Sequence, residues 1–365
     1  MSQAMTSRIP NLMTGVQLLG HGDFNQLVYR TDIPTPRPAT GEVLIRVAAA
    51  GINNTDVNTR IGWYAKSARG PTSDGVDERS AAASGSWWGD SMQFPRIQGA
   101  DCCGTIVSVG DGVCERRIGE RVLVRPIQST ADPENPLSFI TFGADVDGAF
   151  AQFTKCDSAQ ALMVKSDWSD VELASIPCAF STAEGMLSRA AVGAERVLIT
   201  GASGGVGSAA VQLAKRRGAT VYAVAADKKA KNVLAIGADY IVDRNESLAD
   251  ALGASSIDVA IGLVGGPRWP EIPDILKAGG RYVVSGAIAG PIVELDLRTL
   301  YLKDLTFFGS TYQGDEIFTN LIGYVERNEI RPVVAKTFSL KDIVEAQQTF
   351  LSKDHTGKIV LVPPQ

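Results

Sequence analysis

The chain has 365 residues, 45% hydrophobic and 21% charged, with a net charge of −5, which suits two globular domains with separate cores. The acidic balance excludes nucleic acid and anionic membrane as main partners, and no apolar run reaches the ~20 residues that span a bilayer. Five cysteines without CxxC spacing fit a reducing cytoplasm better than a disulfide framework, and two histidines supply little metal or relay chemistry.

The N-terminal stretch MSQAMTSRIPNLMTGVQLLG has no basic region leading into an apolar run, so no secretory signal is expected. Residues 1–165 then read as strands and turns. GEVLIRVAAAGIN (41–53), CGTIVSVG (103–110) and RVLVRP (121–126) are short β-rich runs bounded by Gly and Pro. Residues 66–92 form a long Gly/Ser-rich stretch, either a binding loop or a plain insertion. Trp87 and Trp88 within it suit docking on a substrate or on a partner chain. His21 reads as a turn residue and His355 as a surface one.

From about 168 the pattern alternates. A helical stretch at 169–190 precedes strands at 196–200, 219–225, 239–242, 257–263 and 280–285, with helices between them. One-helix crossovers imply a parallel sheet covered on both faces. DLTFFGST (304–311) adds another strand, and 315–365 returns to helices and a terminal strand.

Within this run, LITGASGGVG places Gly201, Gly204 and Gly207 directly after a strand and at the start of a helix. The first glycine permits a tight turn, the second a close approach of backbone N–H groups to a pyrophosphate, and the third close helix–strand packing. Lys215, Arg216 and Arg217 before Gly218 end that helix with the charges its dipole favours. A P-loop needs Lys after the last Gly, but Ser208 follows Gly207. The TGxxxGxG pattern of short-chain dehydrogenases also fits the letters, but no downstream YxxxK follows. The turn is therefore a dinucleotide site in an α/β, doubly wound parallel sheet.

Taken together, AAGINNTDVNTRIGWY (49–64), PRIQGADCCGTIVSVGDGV (95–113), IPCAFSTAEGML (176–187), the glycine turn, AIGADYIVD (235–243), DVAIGLVGG (258–266) and HTGKIVLVP (355–363) resemble the medium-chain dehydrogenase/reductase superfamily. Within it, the chain is similar to the zinc-independent quinone oxidoreductase-like branch. The resemblance implies a Rossmann domain inserted into a β-rich GroES-like catalytic domain. The expected divisions are 1–165 for the catalytic domain, 166–311 for the cofactor domain and 312–365 for the return.

The resemblance also implies roles. Asn53 and Thr182 would lie beside the nicotinamide, with Asn53 offering its amide or merely capping the next helix. Tyr64 is the candidate proton donor, and Asp56 could orient either group. Gly201, Ser203, Gly204, Gly205, Val206 and Gly207 would hold the pyrophosphate, and loops carrying Gly286 and Ser310 would meet the nicotinamide. Val224 stands where NAD-preferring relatives carry an acid, and Lys229 and Arg244 where a 2′-phosphate would be met. NADPH is thus the expected cofactor, with Asp227 as a helix N-cap.

The metal positions of the zinc-dependent members fall on Asn53, Ala100 and Cys178, too poor a set for a catalytic zinc. The expected activity is metal-free hydride transfer to a quinone or α,β-unsaturated carbonyl. The alternatives are a zinc-type alcohol dehydrogenase and a catalytically silent NADPH-binding regulator. A small-molecule substrate and a homodimer paired through the edge 279–297 complete the expectations.

Overall fold

The computed structural model describes residues 9–74, 92–130 and 132–365. Trp87, Trp88 and most of the 66–92 stretch lie outside the described residues.

The strands Arg196–Ile199, Thr220–Ala225, Tyr240–Asp243, Ile257–Gly262, Leu276–Val284 and Thr306–Gly309 form one parallel sheet. Numbered in chain order, they lie side by side as 3-2-1-4-5-6. The order reverses between Arg196–Ile199 and Ile257–Gly262, which opens a crevice at their C-terminal ends. Val197, Leu198, Val259 and Ala260 are fully buried because helices cover both faces, so these strands lack polar alternation. The helix Gly205–Arg216 buries Ala209, Ala210, Leu213 and Ala214 and stops at Gly218, whose φ is +82°.

The other lobe is built on a seven-stranded sheet. Along it run Ala161–Met163, Arg121–Val124, Cys103–Val109, Glu42–Gly51, Lys358–Val362 and Val334–Ser339, with Phe153–Asp157 also pairing to Glu42–Gly51. Val360 and Leu361 pair with Gly51 and Ala50, so the end of the chain completes the sheet its beginning started. Leu44, Ile45, Ile106 and Ile359 fill its core. Between the lobes runs the helix Pro177–Arg189, with Pro177 at its start, where a missing N–H costs nothing. Its buried Glu184 meets Arg217 at 2.6 Å and ties it to the end of the glycine-turn helix.

Two expectations change. The sheet edge is not at 279–297, because Leu276–Val284 is flanked on both sides; Thr306–Gly309 forms the edge instead. The strand expected at 280–285 begins earlier, at Leu276, directly after the helix Glu271–Ile275. Among the described residues no helix is long and apolar enough to cross a membrane.

Candidate active site

A cleft of about 460 Å³ lies at the C-terminal ends of five consecutive strands of the parallel sheet, against the other lobe. Thr200 pins its centre. Its hydroxyl donates to the Ile261 carbonyl at 3.1 Å and accepts the Leu263 N–H at 2.9 Å, joining the two strands where the order reverses.

The glycine turn follows. Gly201 has φ +63°, a left-handed conformation that disfavours any side chain. A Cβ on Gly207 would stand 2.2 Å from the Gly201 carbonyl oxygen, so this glycine serves helix–strand contact. A Cβ on Gly204 would meet only that oxygen, at 3.5 Å, and would project into the cleft-lining cradle. Ser203, Gly205 and Val206 line the same wall. The free N–H groups of the helix start and this open cradle fit a dinucleotide pyrophosphate.

One end of the cleft is cationic. Val224 and Ala226 line it at the end of the second strand, whereas Asp227 is exposed and absent from the lining. Asp227 is not the expected N-cap: it opens the 3-10 turn Asp227–Lys229, capped by Ala226, and the helix Ala230–Ile236 follows. Its backbone N–H donates to Asp243. Lys229 is buried, with its ammonium 2.5 Å from the Lys353 carbonyl; desolvation, with Lys228 adding to it, lowers its pKa. Arg244 stands exposed at the rim. Lys353 and His355, which the sequence did not assign to the site, line the cleft too. Burial and then Lys229 bring Lys353 down to about 8, and burial with Lys353 brings His355 down to about 4. His355 is thus a half-buried wall residue rather than a surface one, and its Nδ1 is buried without a hydrogen-bond partner among the described residues.

The other end holds the reactive positions. Asn53, Tyr64, Thr182 and Cys178 line it. Asn53 turns inward: its amide donates to Asp101 at 2.8 Å, and its oxygen accepts from the Lys358 ammonium at 2.5 Å. Of the two roles expected for Asn53, the first meets an amide already engaged within the protein. Asp56 lies behind the wall, accepting N–H bonds from Asn53 at 2.8 Å and Gly99 at 3.2 Å. It closes the start of the helix Asn54–Ile61 and does not reach the cleft. Burial raises Asp56 to about 7, with nearby Asp101 adding to the effect. Burial also pushes the Tyr64 hydroxyl up to about 12, so it stays protonated. Lys358 and Asp101 were missed because 257 positions separate them, so nothing in the two segments that carry them shows that they meet.

Gly286 lines the cleft after the fifth strand. Ser310 does not: its N–H is held by Val284 and it is buried beside Gly185 of the inter-lobe helix. Across the top, the Thr72 N–H donates to the Ile288 carbonyl at 3.0 Å, a bridge between the lobes.

Residues 39–166 match the alcohol dehydrogenase GroES-like domain, and residues 205–327 the zinc-binding dehydrogenase family. A crystal structure from Sinorhizobium meliloti 1021, described as an alcohol dehydrogenase, is 44% identical, covers 99% of both chains and superposes with a TM-score of 0.90. The acryloyl-coenzyme A reductase of Sulfurisphaera tokodaii is 27% identical over 91% of this chain and 95% of its own. The quinone oxidoreductase of Rattus norvegicus is 25% identical over 96% and 98%. Together with the parallel sheet and its glycine turn, these likenesses make the chain an NAD(P)H-dependent oxidoreductase that belongs to the medium-chain dehydrogenase/reductase superfamily.

Proposed function

We propose that the protein is an NADPH-dependent reductase that transfers hydride to a quinone or an α,β-unsaturated carbonyl without a catalytic metal. The observation that carries this reading is the substrate end of the cleft. There Tyr64 presents a hydroxyl held neutral by burial, beside Thr182 and a Cys178 thiol whose pKa burial raises well above its usual range. Neutral donors polarise a plain ketone weakly. They suffice for a conjugated acceptor, whose incoming electron pair spreads along the system to the oxygen. Names among the relatives, acryloyl-coenzyme A reductase and quinone oxidoreductase, point to the same class of acceptor.

The residues fit the nicotinamide cofactor. Ser203 to Gly207 would take its pyrophosphate, Lys229 and Arg244 its 2′-phosphate, and Gly286 and Thr182 the nicotinamide end. When bound, the cofactor supplies hydride to the acceptor carbon. Tyr64 would donate a hydrogen bond to the acceptor oxygen, and Asn53 would shape the pocket floor. The residues do not fit a zinc ion: Asn53 is bonded inward, Ala100 offers no donor, and Cys178 alone remains. The proposal extends to a homodimer, to cytoplasmic residence, and to the division 1–165, 166–311 and 312–365.

Oxidation of NADPH against a panel of quinones, enals, enones, enoyl thioesters and simple ketones tests the reading. Turnover restricted to conjugated acceptors and quinones is expected. Oxidation of simple alcohols by a protein holding stoichiometric zinc would overturn it, and NADPH binding without turnover on any acceptor would favour the silent regulator.

A further inference from the structure

We propose that the turn 353–357 completes the phosphate site of the nucleotide, and that Lys353 within it takes up a proton from solvent when a 2′-phosphate arrives. The inference rests on the NADPH reading and deepens it, by naming a third wall of the site and a proton that binding consumes.

The turn is placed by its two ends. Lys353 closes the helix Ile343–Ser352 with φ +54°, the left-handed conformation in which glycine is usual. At the other end the Gly357 N–H donates to the Ser203 carbonyl at 3.0 Å, inside the glycine turn. Between these ends Lys353 and His355 line the cleft, on the side where Lys229 stands.

Basic groups crowd here without a counter-ion. The Lys229 ammonium donates to the Lys353 carbonyl at 2.5 Å. The Lys353 ammonium donates to the Asn54 Oδ1 at 3.2 Å and stands 3.9 Å from the centroid of the Phe350 ring. The acids nearby are already engaged: Asp354 by Lys228 at 2.5 Å and Glu271 by Arg268 at 2.8 Å. Lys358, which also acts on His355, is paired with Asp101. Among the described residues, Lys229, Lys353 and Arg244 therefore have neutral partners or none, and their charges await an anion.

Like charges held close together and partly dry oppose one another. Burial and then Lys229 bring Lys353 down to about 8, so about half of its ammonium groups have lost their proton at pH 8. His355, brought down to about 4, is neutral at that pH. A 2′-phosphate is by then a dianion, since its second pKa lies near ~6. Against this wall it favours the charged form of each neighbour. It has no proton left to give, so the one that recharges the Lys353 Nζ comes from solvent. Binding at pH 8 thus consumes up to about half a proton per site. NADH brings no such group.

Isothermal titration calorimetry of the full-length protein at pH 8 tests this, run in Tris and in HEPES so that the proton count follows from the difference in heat. The probes are 2′,5′-ADP and 5′-AMP, which share the adenosine and differ by the 2′-phosphate. The parent is expected to take up about half a proton with 2′,5′-ADP and close to none with 5′-AMP. Lys353→Met should lose the uptake and bind 2′,5′-ADP about 10-fold more weakly, with 5′-AMP affinity unchanged. Lys353→Arg, whose guanidinium keeps its proton, should lose the uptake and retain the affinity, and it carries the test if Lys353→Met does not fold. Equal uptake with the two probes would overturn the inference alone. So would uptake that survives in Lys353→Arg, or undiminished 2′,5′-ADP affinity in a folded Lys353→Met. A parent that binds 2′,5′-ADP no more tightly than 5′-AMP would overturn the NADPH reading and this inference with it.

Discussion

At Gly204 and Gly207 one amino acid answers two different needs. Gly204→Val projects its side chain into open cleft, so NADPH affinity should fall at least ~10-fold while the melting temperature stays near that of the parent. Gly207→Val drives its Cβ onto the Gly201 carbonyl and should lower the melting temperature itself. Calorimetry beside fluorescence titration separates the two. Nucleotide choice is argued from Lys229 and Arg244. Replacing both with Ala should cost roughly 1.5–3 kcal/mol per lost charge-assisted contact in NADPH binding and leave NADH affinity unchanged. A parent that prefers NADH would mean the exposed Asp227 reaches the ribose. Asp56 sets a pH dependence. Its folded pKa, raised to about 7, lies above the unfolded value, so its contribution is fully present below about pH 4 and is lost as pH rises through 7. The stability of the parent minus that of Asp56→Asn should therefore decline between pH 4 and 8, by a few kcal/mol at most, in urea unfolding. A flat difference would mean that the two N–H bonds keep the carboxylate ionised throughout pH 4–8. The glycine turn was legible in the sequence because a backbone constraint dictates residue identity locally. The Lys358–Asp101–Asn53 cluster was not, because only the folded sheet brings position 358 to positions 53 and 101.

Among the elements, the parallel strands and the glycine-turn helix could be read from their apolar runs and end signals. The sheet edge was misplaced because a β-rich run looks the same whether or not another strand covers it. The edge on that side of the sheet, Thr306–Gly309, follows the short helix Leu297–Leu302, and Tyr240–Asp243 forms the opposite edge. Leu297, Tyr301 and Leu302 there are 64%, 61% and 73% exposed. An unpaired edge beside exposed apolar side chains is the kind of surface a second copy covers. The proposed homodimer should therefore use this face. Light scattering is expected to give a dimer mass at micromolar concentration and a monomer mass for Tyr301→Glu with Leu302→Glu. A parent that is already monomeric would remove the proposal, and a double variant that stays dimeric would move the interface elsewhere.

Over the whole molecule, the cleft exists because two lobes meet, and bonds from distant parts of the chain close it. Thr72 reaches Ile288, and the Gly357 N–H donates to the Ser203 carbonyl at 3.0 Å. No single segment announces this, although the order of segments along the chain did suggest one unit set inside another. That nesting bears on how the chain comes off the ribosome. The inserted sheet, 196–309, is made before Lys358–Val362, the strand for which Glu42–Gly51 waits. The early lobe must therefore persist with an open seam and a buried-to-be Asp101 lacking its counter-ion until Lys358–Val362 has been made. Nascent chains arrested before residue 358 should show a protease-resistant cofactor lobe and a digestible first lobe. Arrest beyond the C-terminus, with the tail clear of the exit tunnel, should protect both; equal resistance of the two lobes in the shorter chains would show that the first lobe closes without its last strand.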